Sequence, residues 1–168
     1  HAVLLDDIMA DVVNRWKKSC PPPSGMVFDR EAEGIREVCG IFLRSEEDRC
    51  RSLQPAFSEA SFGLGTPPEK GALGSENPVE ISLSGGSSFF LRGSIDRMDR
   101  QEDGNWRIRD YKTGAPFVLD SSDPLENGRR LQYALYVRAA DVLLKNCGFD
   151  GTVADTGYLF PGQKGQGR

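Results

Sequence analysis

Arg92-Gly93-Ser94-Ile95-Asp96-Arg97, then Gln101-Glu102-Asp103-Gly104-Asn105, then Trp106-Arg107-Ile108-Arg109-Asp110-Tyr111-Lys112 stand almost end to end in the chain, and their reading decides the fold. The middle block carries an Asp-Gly step between segments of alternating apolar residues, the pattern of a two-stranded hairpin. Folding the segment about residues 101–105 brings Asp96 and Asp110 close across the strand pair. Two carboxylates side by side repel unless a cation lies between them. A hard divalent ion with oxygen ligands, Mg²⁺ or Mn²⁺, answers that need. Lys112 is two residues beyond Asp110 and, on a strand, points to the same face. There it can hold or activate a water, or neutralise charge developing on a phosphate.

Working outward, residues 79–83 and 89–98 flank Gly85-Gly86, so 79–111 reads as a β-meander. Residues 55–65 suggest a further strand, followed by a Gly/Pro-rich loop over 66–78 that is expected to be mobile. Val3, Leu4, Ile8, Val12, Val13 and Trp16 have the spacing of an amphipathic helix over 2–16, stopped by Pro21-Pro22-Pro23. A second helix opens near Asp29 and fades near Arg51. After a loop with Pro116, Ser121, Ser122, Asp123 and Pro124, the residues Leu131, Leu135, Ala139, Val142 and Leu143 predict a helix over 125–146. Residues 151–160 form a last strand, and 161–168 read as a flexible tail. Trp106, Phe89 and Phe90 are expected in the core. The element order is that of an α+β or mixed α/β sandwich.

With 168 residues, 38% of them hydrophobic and 27% charged, the chain has the composition of one globular domain. No apolar run approaches the roughly 20 residues of a spanning helix, and no signal-peptide pattern is present, so no membrane partner and a cytoplasmic location are expected. The net charge of -4 argues against holding nucleic acid by bulk charge alone. Positive charge nevertheless gathers in the C-terminal third, where Arg129, Arg130 and Arg138 are candidates for phosphate contacts. Cys20, Cys39, Cys50 and Cys147 show no C-x-x-C spacing and read as reduced thiols. Gly65-Thr66-Pro67-Pro68-Glu69-Lys70-Gly71 lacks the G-K-[ST] ending of a nucleotide-binding loop. The chain starts without Met and inside a helical pattern, so a fragment of a longer protein is expected.

Three stretches, Gly93-Ser94-Ile95-Asp96-Arg97, Asp110-Tyr111-Lys112-Thr113-Gly114 and Leu131-Gln132-Tyr133-Ala134-Leu135-Tyr136, resemble in order the G-x-I-D-R, D-Y-K-T-G and Q-x-x-x-Y motifs of the PD-(D/E)XK nuclease superfamily, in its RecB/AddB-like branch. His1-Ala2-Val3-Leu4-Leu5 is similar to the tail of the family's G-x-x-x-H-x-x-L pattern. The stretch 55–63 resembles the strand before the Asp motif, where a Glu, here Glu59, is common. The resemblance implies an α/β fold over residues 1–160, a restriction-endonuclease-like mixed β-sheet of about four strands flanked by helices. It implies a metal-dependent deoxyribonuclease, an exonuclease in preference to an endonuclease, serving as the nuclease module of a helicase-nuclease in DNA end processing and recombinational repair. DNA and a fused or associated helicase subunit are the implied partners. His1, Asp96, Asp110 and the carbonyl of Tyr111 would hold the ion, and Lys112 would position the attacking water. Gln132 and Tyr136, four apart on one helical face, would reach the same site or the DNA backbone, with Glu59 as an accessory. An iron-sulfur cluster, held in AddB-like members by one cysteine upstream of the His motif and three near the domain's C-terminus, is not supported by the cysteines present.

Blander readings compete residue by residue. An isolated Asp96 is most simply an exposed ion pair with Arg97 or Arg109, Tyr136 a packing residue, His1 a terminal residue with no role, and the arginines a solvated face. The three motifs in order outweigh these for Asp96, Asp110 and Lys112. A non-catalytic DNA-binding or scaffold module of the same fold is the alternative. A hairpin that binds Ca²⁺ for stability leaves Lys112 without a role, since it would repel the ion.

Overall fold

The computed structural model describes residues 2–117, 122–123 and 125–167. In chain order they form α1 (Ala2–Ser19), α2 (Gly25–Arg49), β1 (Leu53–Phe62), β2 (Val79–Ser82), β3 (Ser88–Leu91), β4 (Gly93–Gln101), β5 (Trp106–Tyr111), α3 (Gln132–Asn146) and β6 (Val153–Leu159). Four strands make one mixed sheet in the order β1-β4-β5-β6. The pairs β1/β4 and β4/β5 are antiparallel, and β5/β6 is parallel. A parallel pair needs a crossover, and the segment containing α3 supplies it. Helices and a mixed four-stranded sheet give the restriction-endonuclease-like α/β fold.

The hairpin predicted about 101–105 forms. Gln101 N–H donates to Asn105 O at 2.9 Å, and Gly104 takes φ 84, a left-handed value open to glycine. Asp103 accepts from the Asn105 backbone N–H at 2.9 Å and from its side-chain amide at 3.0 Å. Those bonds, the backbone one first, hold the Asp103 carboxyl below its ordinary pKa.

Two expectations change. The meander is broken at Arg92: β3 pairs with β2 in a separate two-stranded sheet, while β4 enters the main sheet. The outer edge of β4 is filled by the ten-residue β1, so the short β2–β3 hairpin stands apart from it. The helix predicted over 125–146 begins only at Gln132, because Glu126, Asn127 and Gly128 have φ 46, 53 and 85. A left-handed run cannot continue into a right-handed helix, and residues 125–130 form turns instead. Ser121 and Pro124 of the preceding loop lie outside the described residues.

Contacts divide the chain into two compact units, one of His1–Arg49, Lys112–Pro116 and Phe160–Arg168, the other of Cys50–Tyr111 and Phe117–Leu159. The second holds the main core. Ala139, Ala140, Leu143 and Leu144 of α3 pack with Phe62, Ile95, Met98, Trp106 and Ile108 of the sheet, and with Val79 and Ile81 of β2. Trp106 is buried as predicted and donates its indole N–H to Asp150 O at 2.9 Å. Phe89 packs partly against the core, whereas Phe90 is 71% exposed on the opposite face of the short hairpin. The loop expected to be mobile is pinned in its second half. Leu73 is buried, and Ser75 bonds Ser61 and Gly63 through the backbone.

In the first unit, α1 and α2 are joined by Trp16 against Phe28 and by the pairs Lys17–Asp29 (2.7 Å) and Arg36–Asp6 (2.6 Å). The amphipathic pattern of α1 is real, but Leu4, Ile8, Val12 and Trp16 stay exposed. Residues 163–167 form turns, with Gly167 O accepting from Ser45 Oγ at 2.7 Å and from Arg49. Among the described residues no helix is long and apolar enough to cross a membrane.

Two outcomes follow from this packing. Gly151 has φ 91, and a Cβ there would lie 2.4 Å from Gly104 O. Gly151→Ala is therefore expected to lower stability by more than about 1 kcal/mol, read as a lower urea midpoint at unchanged slope. The lowered Asp103 pKa stabilises the fold above the unfolded value of about 3.9 and loses that effect as pH falls through the folded value. The stability gap between the protein and its Asp103→Ala variant should accordingly shrink in acid, measured by urea titration between neutral pH and about pH 3.

Candidate functional site

Strands β4 and β5 stay paired from Arg100↔Trp106 to Arg97↔Arg109, where their ladder ends. β5 runs on against β6 through Asp110↔Tyr158 and Tyr111↔Leu159. Beyond the last β4/β5 pair, the Tyr111 main-chain N–H donates to Asp96 Oδ2 at 2.8 Å. The carboxylate has taken the place of a strand carbonyl, which keeps a partly buried donor satisfied. Asp110 precedes Tyr111 and accepts from Gln132 Nε2 at 3.3 Å. Asp96 and Asp110 are both half-buried. The three motifs thus converge: Asp96 on β4, Asp110 and Tyr111 on β5, and Gln132 at the start of α3.

One turn after Gln132, Tyr136 packs edge-on against Phe62, with centroids 6.1 Å apart. A Cβ on Gly93 would meet the Tyr136 hydroxyl at 2.9 Å. The glycine of the Asp96 motif is what admits the Tyr136 phenol against β4. On the far side of β4, Glu59 has φ 51 between the pairs Ser58↔Arg97 and Ala60↔Ile95. Phe57 and Ala60, three apart, both turn toward the core, so the period of two fails between them, while the register with β4 shifts earlier, between Pro55 and Phe57, and is kept across Glu59. Glu59 itself is exposed and accepts from Ser94 Oγ at 3.2 Å.

The ion pair weighed for Asp96 resolves differently. Arg97 pairs with Asp99 at 2.7 Å, with side chains 6% and 1% exposed, and Arg109 pairs with Asp155 at 2.7 Å. Lys112 lies one residue past the end of β5, in the 112–116 segment of the other compact unit, so the strand period that orients Asp110 does not reach it. Arg129 and Arg130 sit in the turns before α3. Arg130 pairs with Glu126 at 2.6 Å and stacks 4.0 Å from the Phe117 ring centroid. Arg138 lies further along α3, in a groove with Glu80 and Asp141. His1 lies outside the described residues.

The residues that sequence reasoning passed over are Ser94, Asp99 and the packing role of Gly93. Opposite charges two apart on a strand, Arg97 and Asp99, were the available signal. Their burial was not legible.

For a hard divalent cation the donor chemistry fits: two half-buried carboxylates, Asp96 and Asp110, and the main-chain carbonyl of Tyr111 are all oxygen donors. Among the described residues no group of three or more His, Cys, Asp or Glu side chains is poised to hold a metal. Cys20, Cys39, Cys50 and Cys147 are free thiols dispersed over the chain.

The sequence profile of the PD-(D/E)XK nuclease superfamily matches residues 3–167, and the chain belongs to that superfamily. Nucleases of this superfamily are typically divalent-metal dependent. The chain is similar to the B-type subunit of the ATP-dependent helicase/deoxyribonuclease of Symbiobacterium thermophilum, with 46% identity over 66 residues, 37% of this chain and 6% of that protein. It is also similar to the corresponding protein from two Bacillus cereus strains. One is 36% identical over 109 residues, 63% of this chain and 8% of that protein. The other is 33% identical over 127 residues, 71% of this chain and 10% of that protein. The chain thus spans 10% or less of the length of these relatives.

Gly93→Ala is expected to cost about 1–3 kcal/mol by forcing the Tyr136 ring off β4. Adding Tyr136→Phe, which removes the clashing hydroxyl, should recover part of that loss. Urea unfolding of the two single variants and the double variant checks it.

Proposed function

We propose that the chain is a divalent-metal-dependent deoxyribonuclease module that hydrolyses DNA phosphodiesters. What supports the reading is the convergence of Asp96, Asp110 and Gln132 about the Tyr111 backbone, in a chain of a nuclease superfamily. In this reading Asp96, Asp110, the Tyr111 carbonyl and His1 hold Mg²⁺ or Mn²⁺. When bound, the cation supplies positive charge to the oxygens of an in-line displacement. Gln132 orients the Asp110 carboxylate through its amide, and Tyr136 borders the site from the same helical face. Lys112 carries the cationic amine that positions a water and balances charge growing on the phosphate. Glu59 is an accessory acid, and Arg129, Arg130 and Arg138 meet the DNA backbone.

The names of the similar proteins support a helicase-nuclease setting. We place the module beside a helicase partner in DNA end processing and recombinational repair in the cytoplasm, acting as an exonuclease. A net charge of -4 gives the isolated chain little affinity for a polyanion, so positioning on DNA falls to the associated parts.

The test is cleavage of end-labelled single- and double-stranded DNA with Mn²⁺, Mg²⁺ or EDTA. Cutting is expected with either ion and not with EDTA, and Asp110→Ala should lower the rate by at least about 10²-fold. Progressive shortening from an end marks an exonuclease. An intact fold that binds Mn²⁺ in neither the protein nor the variant would replace this reading with a non-catalytic DNA-binding or scaffold module.

A further inference from the structure

We infer that Arg97 is a positioning residue: paired with Asp99, it reaches the Tyr111 hydroxyl and so holds Tyr111 where its main-chain N–H orients the Asp96 carboxylate. Arg97 Nε lies 2.7 Å from Asp99 Oδ1, and Arg97 Nη1 lies 3.4 Å from the Tyr111 hydroxyl. Tyr111 is the diagonal neighbour of Arg97, two residues beyond its partner Arg109 and on the same face of the sheet. The rigid, planar guanidinium can serve both groups at once, which a lysine ammonium at the end of a flexible stem would not do.

A pair buried this deeply does not account for itself by stability, because desolvation offsets much of its attraction. Its placement gives it another use. Tyr111 stands past the last β4/β5 ladder pair, so on the β4 side its N–H bonds a side chain rather than a strand carbonyl, while its other edge stays paired with Leu159 of β6. A ring anchored on one face keeps the amide aimed at Asp96 Oδ2, and that bond in turn sets the plane of the carboxylate. In this chain of contacts Arg97 acts on Asp96 through Tyr111. The consequence for metal holding rests on the function proposed above, whereas the clamp itself does not.

The experiment uses the full chain, ¹⁵N-labelled and metal-free, and reads hydrogen exchange at the residue 111 amide, followed by Mn²⁺ titration of the same samples. Tyr111→Phe deletes only the hydroxyl and should speed exchange at that amide about tenfold, the loss of one ordinary hydrogen bond. Arg97→Lys, which keeps the charge facing Asp99, should do the same. Ile81→Val in β2 serves as a control, since it trims a buried side chain remote from this contact and should leave the residue 111 amide within its global stability change. Exchange that rises no more in Tyr111→Phe than in Ile81→Val overturns the inference. If Arg97→Lys does not fold, Tyr111→Phe decides alone. Mn²⁺ affinity should fall in both variants by the factor seen in exchange. If the unaltered chain binds no Mn²⁺, the metal reading of Asp96 fails while the exchange result still decides the clamp.

Discussion

Beyond the pair Arg97↔Arg109 the Tyr111 N–H must find an acceptor other than a β4 carbonyl, and the Asp96 carboxylate provides it at 2.8 Å. Everything else at the site is arranged around that exchange. A half-buried amide without an acceptor would cost roughly 1–3 kcal/mol, so the geometry of Asp96 is tied to the folding of β5 itself. Tyr111 is the covalent neighbour of Asp110, which accepts from Gln132 at the start of α3. The two carboxylates are therefore each held by a bond at the end of β5: Asp96 by the Tyr111 backbone amide, Asp110 by a helix side chain.

The neighbouring elements bend to accommodate this. β1 gives up strict alternation between Phe57 and Ala60, which face the same core, and Glu59 between them has a left-handed φ of 51. β4 gives up a side chain at Gly93, where Tyr136 of α3 comes within reach of the backbone. The helix start is delayed to Gln132 by the left-handed run Glu126-Asn127-Gly128. These departures lie about one end of the sheet; at its other end the β4/β5 hairpin is regular, while β1 shifts register between Pro55 and Phe57 and the β5/β6 ladder shifts between Trp106 and Arg107. The departures beside Asp96 and Asp110 suit a site assembled from several elements, since regular strands would aim side chains by period alone.

Much of this was legible in the residues. The Asp103-Gly104 turn set the hairpin register, because a tight turn leaves the flanking strands one way to pair. That register put Asp96 and Asp110 at the same end of the sheet. The four-residue step from Gln132 to Tyr136 put both on one face of α3. Less was legible where local pattern and long-range pairing disagree. The alternation over 79–111 carried no sign that Arg92 divides two sheets, because the partner of β4 on that side is β1, about 35 residues earlier by the Ala60↔Ile95 pair. The apolar periodicity through 125–146 masked the turns at 126–128, since asparagine and glutamate in left-handed geometry leave no mark on a hydrophobic pattern. The burial of Arg97 and Asp99 leaves no mark in the local sequence; only the packing of the sheet brings them to 5% and 1% exposure.

By itself, then, the order of residues determined which groups carry the chemistry and that they stand on a hairpin and a following helix: motif spacing, turn residues and helical period are local quantities written along the chain. The tertiary structure alone decided how those groups are held. That Asp96 is gripped by the Tyr111 amide, that Gly93 exists to admit Tyr136, and that Arg97 faces Asp99 and Tyr111 rather than solvent all depend on contacts between segments distant in the chain. Such contacts are settled by which donors lose their partners and which volumes remain to be filled once the sheet and α3 close on one core.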